Sequence, residues 1–339
     1  MNESENNKNK TLLVFNCHEA WIYQLGLLDY PLDIIVGLKG QYKQTWDENI
    51  RPLPDNSHLI SLSQALQTSK NYYCIITNNI TDLLDVKSRS EPRLIVLHST
   101  LEGRVIEENS SIDPNQMKNM LHKYLELTGS HAVAGTELKA KSWNLNEDIV
   151  EVCCNCDDYL PFSGEKACGL RICNFIESRK NILLWDFHQK TFEGLPIELV
   201  GHNPGMPGVY PSKNWQHLKE LLSCHRFYIH TAETTLEDGF NMACVEAMAA
   251  GMPVLGNLHP TSPIEHGVSG FLSDDPLELR KYANLLLSDR DMAVKMGQEA
   301  RQTVSKRFST ARFKQNFLNS IETARKKWLC KKTNLSIRT

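Results

Sequence analysis

The chain has 339 residues, 41% hydrophobic and 23% charged, with a formal net charge of -3. That length suits about two domains of roughly 100 to 200 residues, and the apolar share is enough to form their cores. The balanced charge supplies no overall basic field, which argues against nucleic acid as a partner, and no run approaches the roughly 18 apolar residues of a membrane span.

Residues 1–10 are polar and read as a disordered start with no apolar signal segment behind them. The expected location is therefore cytoplasmic, and the ten cysteines are expected as reduced thiols. Cys153, Cys154, Cys156, Cys168 and Cys173 raise a zinc reading, but adjacent cysteines on a strand point to opposite faces, and no metal is expected. The sequons at Asn79 and Asn109 are expected to stay unmodified, because their glycosylation requires the secretory pathway.

Short apolar runs then recur at Leu12 to Phe15, Ile34 to Val36, Leu59 to Leu62, Tyr73 to Ile76, Leu94 to Leu97 and Ala132 to Ala134. Runs without polar alternation fit parallel strands covered on both faces, so residues 11–160 read as a doubly wound α/β domain. The segment after the first run carries His18, Glu19, Trp21 and Tyr23 as a loop, open to two roles: meeting an acceptor or packing the core. A Cys- and Asp-rich segment from Ile149 to Pro161, followed by Ser163 to Lys166, reads as the inter-domain connection.

A second α/β domain is expected over 161–309, with strands near Arg171 to Phe175, Ile197 to Gly201, Phe227 to Thr231 and Pro253 to Gly256. Helices are expected near Pro276 to Ser288, Arg290 to Arg307 and Thr310 to Leu329, and residues 330–339 read as a basic tail. Ligands of open α/β sheets bind beyond the carboxyl ends of the strands, which points to the loops Gly201 to Gly205 and Glu237 to Asn241.

The stretch Phe227 to Leu272 carries the strongest chemical signal. Two acids, Asp238 and Glu246, bracket a Gly239-Phe240-Asn241 turn that opens an apolar helix ending at Gly251. The loop N–H groups at Gly239 and the helix-start amides near Phe240 to Met242 would meet a diphosphate. Glu246, surrounded by Ala243, Val245, Ala247, Met248 and Ala249, is expected to be buried, and a ribose with two vicinal hydroxyls would supply the donors that a buried carboxylate needs. Asp238 could reach a sugar hydroxyl; a helix cap for Asp238 and a buried ion pair for Glu246 are the structural alternatives.

Asp238-Gly-Phe-Asn-Met-Ala-Cys-Val-Glu246, then Ala-Met-Ala-Ala-Gly-Met-Pro-Val and later Gly267-Val-Ser-Gly270-Phe-Leu, resembles the donor-site signature of the retaining glycosyltransferase family 4. The family's first acid is normally Glu, whereas Asp238 stands at that spacing here and Glu237 precedes it. Weaker matches at Leu94 to Ser99, Ala132 to Lys139 and Cys154 to Phe162 extend the resemblance over most of Leu94 to Glu322. It implies the GT-B fold, two Rossmann-like domains facing across a cleft, with the helix at 310–329 returning to the first domain.

The same resemblance implies roles for further residues. His98 would orient the transferred sugar as its anomeric carbon becomes oxocarbenium-like, and Asp238 would share the catalytic site. Asn174 stands where the family places an Arg, and Arg179 where it places a Lys; Arg179 and the adjacent Lys180 would bind the diphosphate. The implied reaction moves a sugar from a UDP-, GDP- or ADP-linked donor to an acceptor hydroxyl with retention of configuration, without metal or cofactor, in polysaccharide, lipopolysaccharide or glycoconjugate synthesis. The acceptor would be a carbohydrate or a lipid-linked sugar. Arg325 to Lys332 gathers five cations around Trp328 and Leu329, which suits contact with the inner face of a membrane as well as a solvated helix end. A sugar-nucleotide-binding protein without turnover on the same scaffold is the alternative.

Overall fold

The computed structural model describes residues 10–38, 44–145 and 149–336. The polar start up to position 9 and the end of the basic tail from position 337 lie outside the described residues. The chain divides into two compact units, one of Met1–Leu101, Glu108–Glu151 and Phe313–Thr339, the other of Glu102–Glu107 and Val152–Arg312. Ser163 to Lys166 lie inside the second unit, because Cys154 N–H already donates to Phe308 O at 2.9 Å and Tyr159 is buried in that unit's core.

The first unit holds strands β1 (Leu12–Phe15), β2 (Leu32–Val36), β3 (Ser57–Ser61), β4 (Cys74–Thr77), β5 (Arg93–Leu97) and β6 (His131–Ala134). They pair in parallel in the order β3-β2-β1-β4-β5-β6. Every residue of β1, β4, β5 and β6 is buried, as expected of a sheet covered on both faces. The connecting helices are α1 (Glu19–Leu25), α2 (Leu62–Gln67), α3 (Ile80–Asp85), α5 (Pro114–Thr128) and α6 (Glu137–Ser142), while α4 (Leu101–Glu107) belongs from Glu102 to the second unit. Polar side chains start several of them: Ser61 and Gln64 form a capping box on α2, and Asn79, the first sequon residue, caps α3.

The segment read as a His-Glu-aromatic loop is helix α1. Its Trp21 is buried edge-on against His98, Phe313 and Phe317, so this aromatic packs the core.

The second unit has a parallel sheet of β7 (Lys166–Ile172), β8 (Ile197–Val200), β9 (His225–Ile229), β10 (Val254–Gly256) and β11 (Gly270–Leu272), in the order β11-β10-β9-β7-β8. Its helices are α7 (Trp185–Phe192), α8 (Trp215–Cys224), α9 (Met242–Ala250), α10 (Pro276–Ser288) and α11 (Arg290–Arg307). Strands β7 and β9 end earlier than their apolar patterns suggest, because Cys173, Asn174, His230 and Thr231 already belong to loops tied by side-chain hydrogen bonds. Helix α9 is buried from Cys244 to Ala250 and runs beneath the sheet face with Leu222, Tyr228 and Val304.

The last helix, α12 (Thr310–Ser336), is longer than the periodicity predicts and absorbs most of the basic tail. From Phe313 it belongs to the first unit, where Phe313, Phe317, Ile321 and Ala324 are buried. Two anchors carry it onward: the Arg325 guanidinium lies 3.6 Å from the Tyr73 ring centroid, and Trp328 Nε1 donates to Ser90 O at 2.6 Å.

Candidate functional site

In the second unit all strands are parallel, so the loops following β7, β8, β9 and β10 gather at one edge of the sheet. Side chains lock these loops together. Asn203 donates to Cys173 O and accepts from Ile176 N–H at 2.8 Å each, and Asn174 Oδ1 accepts from His202 N–H at 2.8 Å. The residue at the expected cation position thus works as a loop clasp. Arg171, which the sequence reading passed over, is buried and donates to Leu183 O at 2.7 Å, as does Thr231 Oγ1. Burial pulls the Arg171 guanidinium down to about 10.

Asp238 and Glu246 are both buried, at 1% and 6% exposure. The Asp238 N–H donates to Glu237 Oε1 at 2.9 Å, and its carbonyl accepts from His230 Nε2 at 3.1 Å. His259 Nε2 donates to Glu237 O at 3.0 Å, so two histidines hold the successive carbonyls of this acidic pair. The Gly239 N–H donates to Thr261 Oγ1 at 2.8 Å and is not free to meet an anion, contrary to the expectation for this loop. A Cβ on Gly239 would sit 2.8 Å from His259, so the close approach of the two loops requires glycine here. Phe240 is buried against Phe308, which makes its ring a core element. Asn241 caps α9 by accepting from Cys244 N–H at 2.9 Å. What stays accessible at the helix start is the half-buried segment Asn241, Met242 and Ala243.

Arg179 and Lys180 lie in the turns before α7. Arg179 Nε is 2.8 Å from Glu107 Oε1, and its NH2 is 3.6 Å from Glu237 Oε2, so this cation already touches the acidic loop. Lys180 is exposed.

The histidines make this loop cluster acid-sensitive. Burial lowers His230 to about 4 and also lowers His188 and His259. A histidine depressed in the folded state binds its proton more readily when unfolded, so the stability it contributes is present above about 6.5 and is lost as pH falls toward 4. For His230 this amounts to about 3 kcal/mol across that window. Thermal unfolding followed from pH 7.5 to 4.5 should show a falling midpoint for the second unit, with a shallower slope in His230→Gln; parallel slopes would assign the acid sensitivity elsewhere.

The first unit carries its own polar cluster at the carboxyl ends of β1, β4 and β5. His98 Nε2 lies 2.5 Å from Trp21 Nε1 and 2.9 Å from Asn78 Oδ1, with Cys17 Sγ at 3.9 Å. The indole N–H can only donate to Nε2, whereas Asn78 Oδ1, whose amide nitrogen donates to Phe15 O, can only accept from it, so the two contacts call for opposite tautomers. Burial pushes the Cys17 thiol well above its usual range, so it is no nucleophile. Trp21 was legible only as an aromatic; its bond to His98 joins residues 77 apart.

Among the described residues no cluster of three or more His, Cys, Asp or Glu could hold a metal, and all ten cysteines are free thiols. No helix among them is long and apolar enough to cross a membrane.

Residues 206–303 match the family described as glycosyl transferases group 1. Among curated proteins no match is found. Of solved structures, HepE of Anabaena in complex with UDP and glucose is similar with a TM-score of 0.68 at 15% identity, over 93% of this chain and 100% of that one. Sucrose-phosphate synthase of Thermosynechococcus elongatus is similar with a TM-score of 0.66 at 13% identity, over 91% and 98%. TarM of S. aureus gives 0.54 at 14% identity over 73% of this chain, which spans about half of TarM, 54% of its length. The fold is GT-B, two parallel-sheet α/β domains.

Proposed function

We propose that this protein transfers a sugar from a nucleotide diphosphate sugar to an acceptor hydroxyl with retention of configuration. The observation that carries the reading is the Asp238 to Asn241 loop leading into α9, with Glu246 buried on that helix, inside the segment that matches group 1 glycosyl transferases. The accessible first turn of α9 and the cation of Lys180 would stabilise charge leaving with the diphosphate, and Glu246 would accept from the ribose hydroxyls. Arg179, positioned by Glu107 and Glu237, would join Lys180 at the phosphates. His98, held at Nε2 by Trp21 and Asn78, would orient the transferred sugar, and Asp238 would take a sugar hydroxyl. Catalysis in this scheme is electrostatic and needs no metal.

The acceptor we favour is a carbohydrate or lipid-linked sugar at the cytoplasmic face of a membrane. Support comes from the basic end of α12 and from likeness to WaaG, described as a glycosyltransferase of lipopolysaccharide biosynthesis, with a TM-score of 0.58. A second reading, donor binding without turnover, is favoured by one observation: Asn174 fills the expected arginine position and is occupied with His202.

Thermal stabilisation by UDP-, GDP- and ADP-sugars, run with an assay for nucleoside diphosphate release, tests both. Stabilisation by one nucleotide series with release supports transfer. Stabilisation with no release under any acceptor moves the conclusion to the binding protein, and no stabilisation removes the donor site altogether.

A further inference from the structure

A cavity of about 670 Å³ opens in the first unit where the end of α5, the start of β6 and α12 meet. Because that sheet is parallel, the start of β6 lies at the opposite edge from the loops bearing His98 and Cys17. The cavity belongs to neither polar cluster described above. Its walls carry Lys326, Lys327 and Lys331 together with His122 and His131, against one carboxylate among the described residues, Glu126.

The packing forces these cations together. Gly129 ends α5 at φ +66, and a Cβ there would lie 2.9 Å from both Lys327 O and Lys331 Cβ, so the backbone of α12 rests directly on this glycine. Lys327 and Lys331 are one turn apart on the same helix face, where like charges repel. Lys327 Nζ donates to Nδ1 of His131 at 3.0 Å, and His131 is only 2% exposed. Lys326 and Lys331 have no ion-pair partner among the described residues. Ammonium groups gathered around a cavity, with one acid among its described lining residues, suit an anion carrying more than one charge.

We infer that this cavity binds a phosphate-bearing group. Lysines serve phosphate as point charges, and the volume admits a phosphate together with the small alcohol it esterifies. The same chemistry is offered by a soluble phosphomonoester and by an anionic lipid headgroup. Leu127 and Leu329, 61% and 50% exposed and next in sequence to the lining residues Glu126 and Cys330, would suit the second source.

The test uses the full chain and two probes. Calorimetric titration with glycerol 3-phosphate reports the soluble arm, and co-sedimentation with phosphatidylglycerol against phosphatidylcholine vesicles reports the lipid arm. Saturable binding in either arm, weakened about tenfold or more by the double replacement Lys326→Glu and Lys331→Glu, is expected. The arm that responds names the source. Glu126→Gln should tighten the same binding, a gain that misfolding cannot mimic, and it decides the matter if the double variant fails to fold. Absence of saturable binding in both arms, or binding indifferent to these replacements, overturns the inference.

Discussion

Glu246→Gln is expected to weaken sugar-nucleotide binding about 100-fold or more. The carboxylate sits on α9 at 6% exposure, with Val245, Ala247 and Met248 buried beside it. In such a place a hydrogen bond to a charged acceptor contributes about 1.5–3 kcal/mol, and two ribose hydroxyls would make two of them. A 100-fold change corresponds to about 2.8 kcal/mol, so loss of the charge on one shared acceptor group is sufficient. Glutamine keeps the shape and one acceptor but turns an amide toward a hydroxyl that needs to donate. The effect should appear in the donor's Kd and KM together. Asp238→Asn should behave differently, because the Asp238 backbone is held on both sides by Glu237 and His230, and its carboxylate is proposed to face the sugar. There kcat should fall more than donor affinity. Donor affinity unchanged in Glu246→Gln would mean that the carboxylate serves the fold of α9 and not a ligand.

The framework was readable from the chain because its physics is local. Leu12 to Phe15 and Leu94 to Leu97 are apolar runs whose every residue is buried, and Asp275-Pro276 and Asp289 mark the starts of α10 and α11 as caps should. The edge strand β3 was harder: its pattern mixes buried and exposed residues, so its first two positions, Ser57 and His58, gave no apolar signal. The acids Asp238 and Glu246 were legible from spacing, but what their neighbours do was not. Gly239 meets Thr261 across 22 residues, and Arg179 meets Glu107 from a distant part of the chain. Such pairings are set by where the sheet edges bring loops together, and a pattern of residue types along the chain does not encode them. The helix α1 is the converse case. His18 to Tyr23 reads as a loop open to two roles, meeting an acceptor or packing the core, and burial of Trp21 against Phe313 and Phe317, almost 300 residues later, gives this aromatic the second role on a helix.

Gly297→Ala should lower the thermal midpoint of the second unit by about 5–10 °C and weaken donor binding with it. By helix propensity alone the change would stabilise, since alanine gains about 1 kcal/mol over glycine in a helix interior, and Gly297 lies well inside α11. Contact decides otherwise. A Cβ on Gly297 would stand 1.7 Å from Gly251 O and 2.7 Å from Gly251 C, and neither is a side chain that can rotate away. Gly251 is itself fixed, at φ +93 where it ends α9, its N–H donating to Met248 O at 3.0 Å and the next N–H, Met252, to Ala247 O at 2.9 Å. The helices must therefore separate, loosening Ala293, Met296, Ala300 and Val304 from the core and stretching the bond from Arg301 NH1 to Ala249 O, now 2.6 Å. Overpacking of this kind costs about 1–3 kcal/mol and more where backbone opposes it, which outweighs the propensity gain and sets the size of the shift. Ala249 and Gly251 close the same helix that carries Glu246, so any retreat of α9 moves the carboxylate as well. Scanning calorimetry and donor titration at a temperature where the variant is fully folded separate the two consequences. A midpoint that rises instead would show α11 standing off Gly251 by more than a methyl group, and the link from this helix contact to the donor site would fall with it.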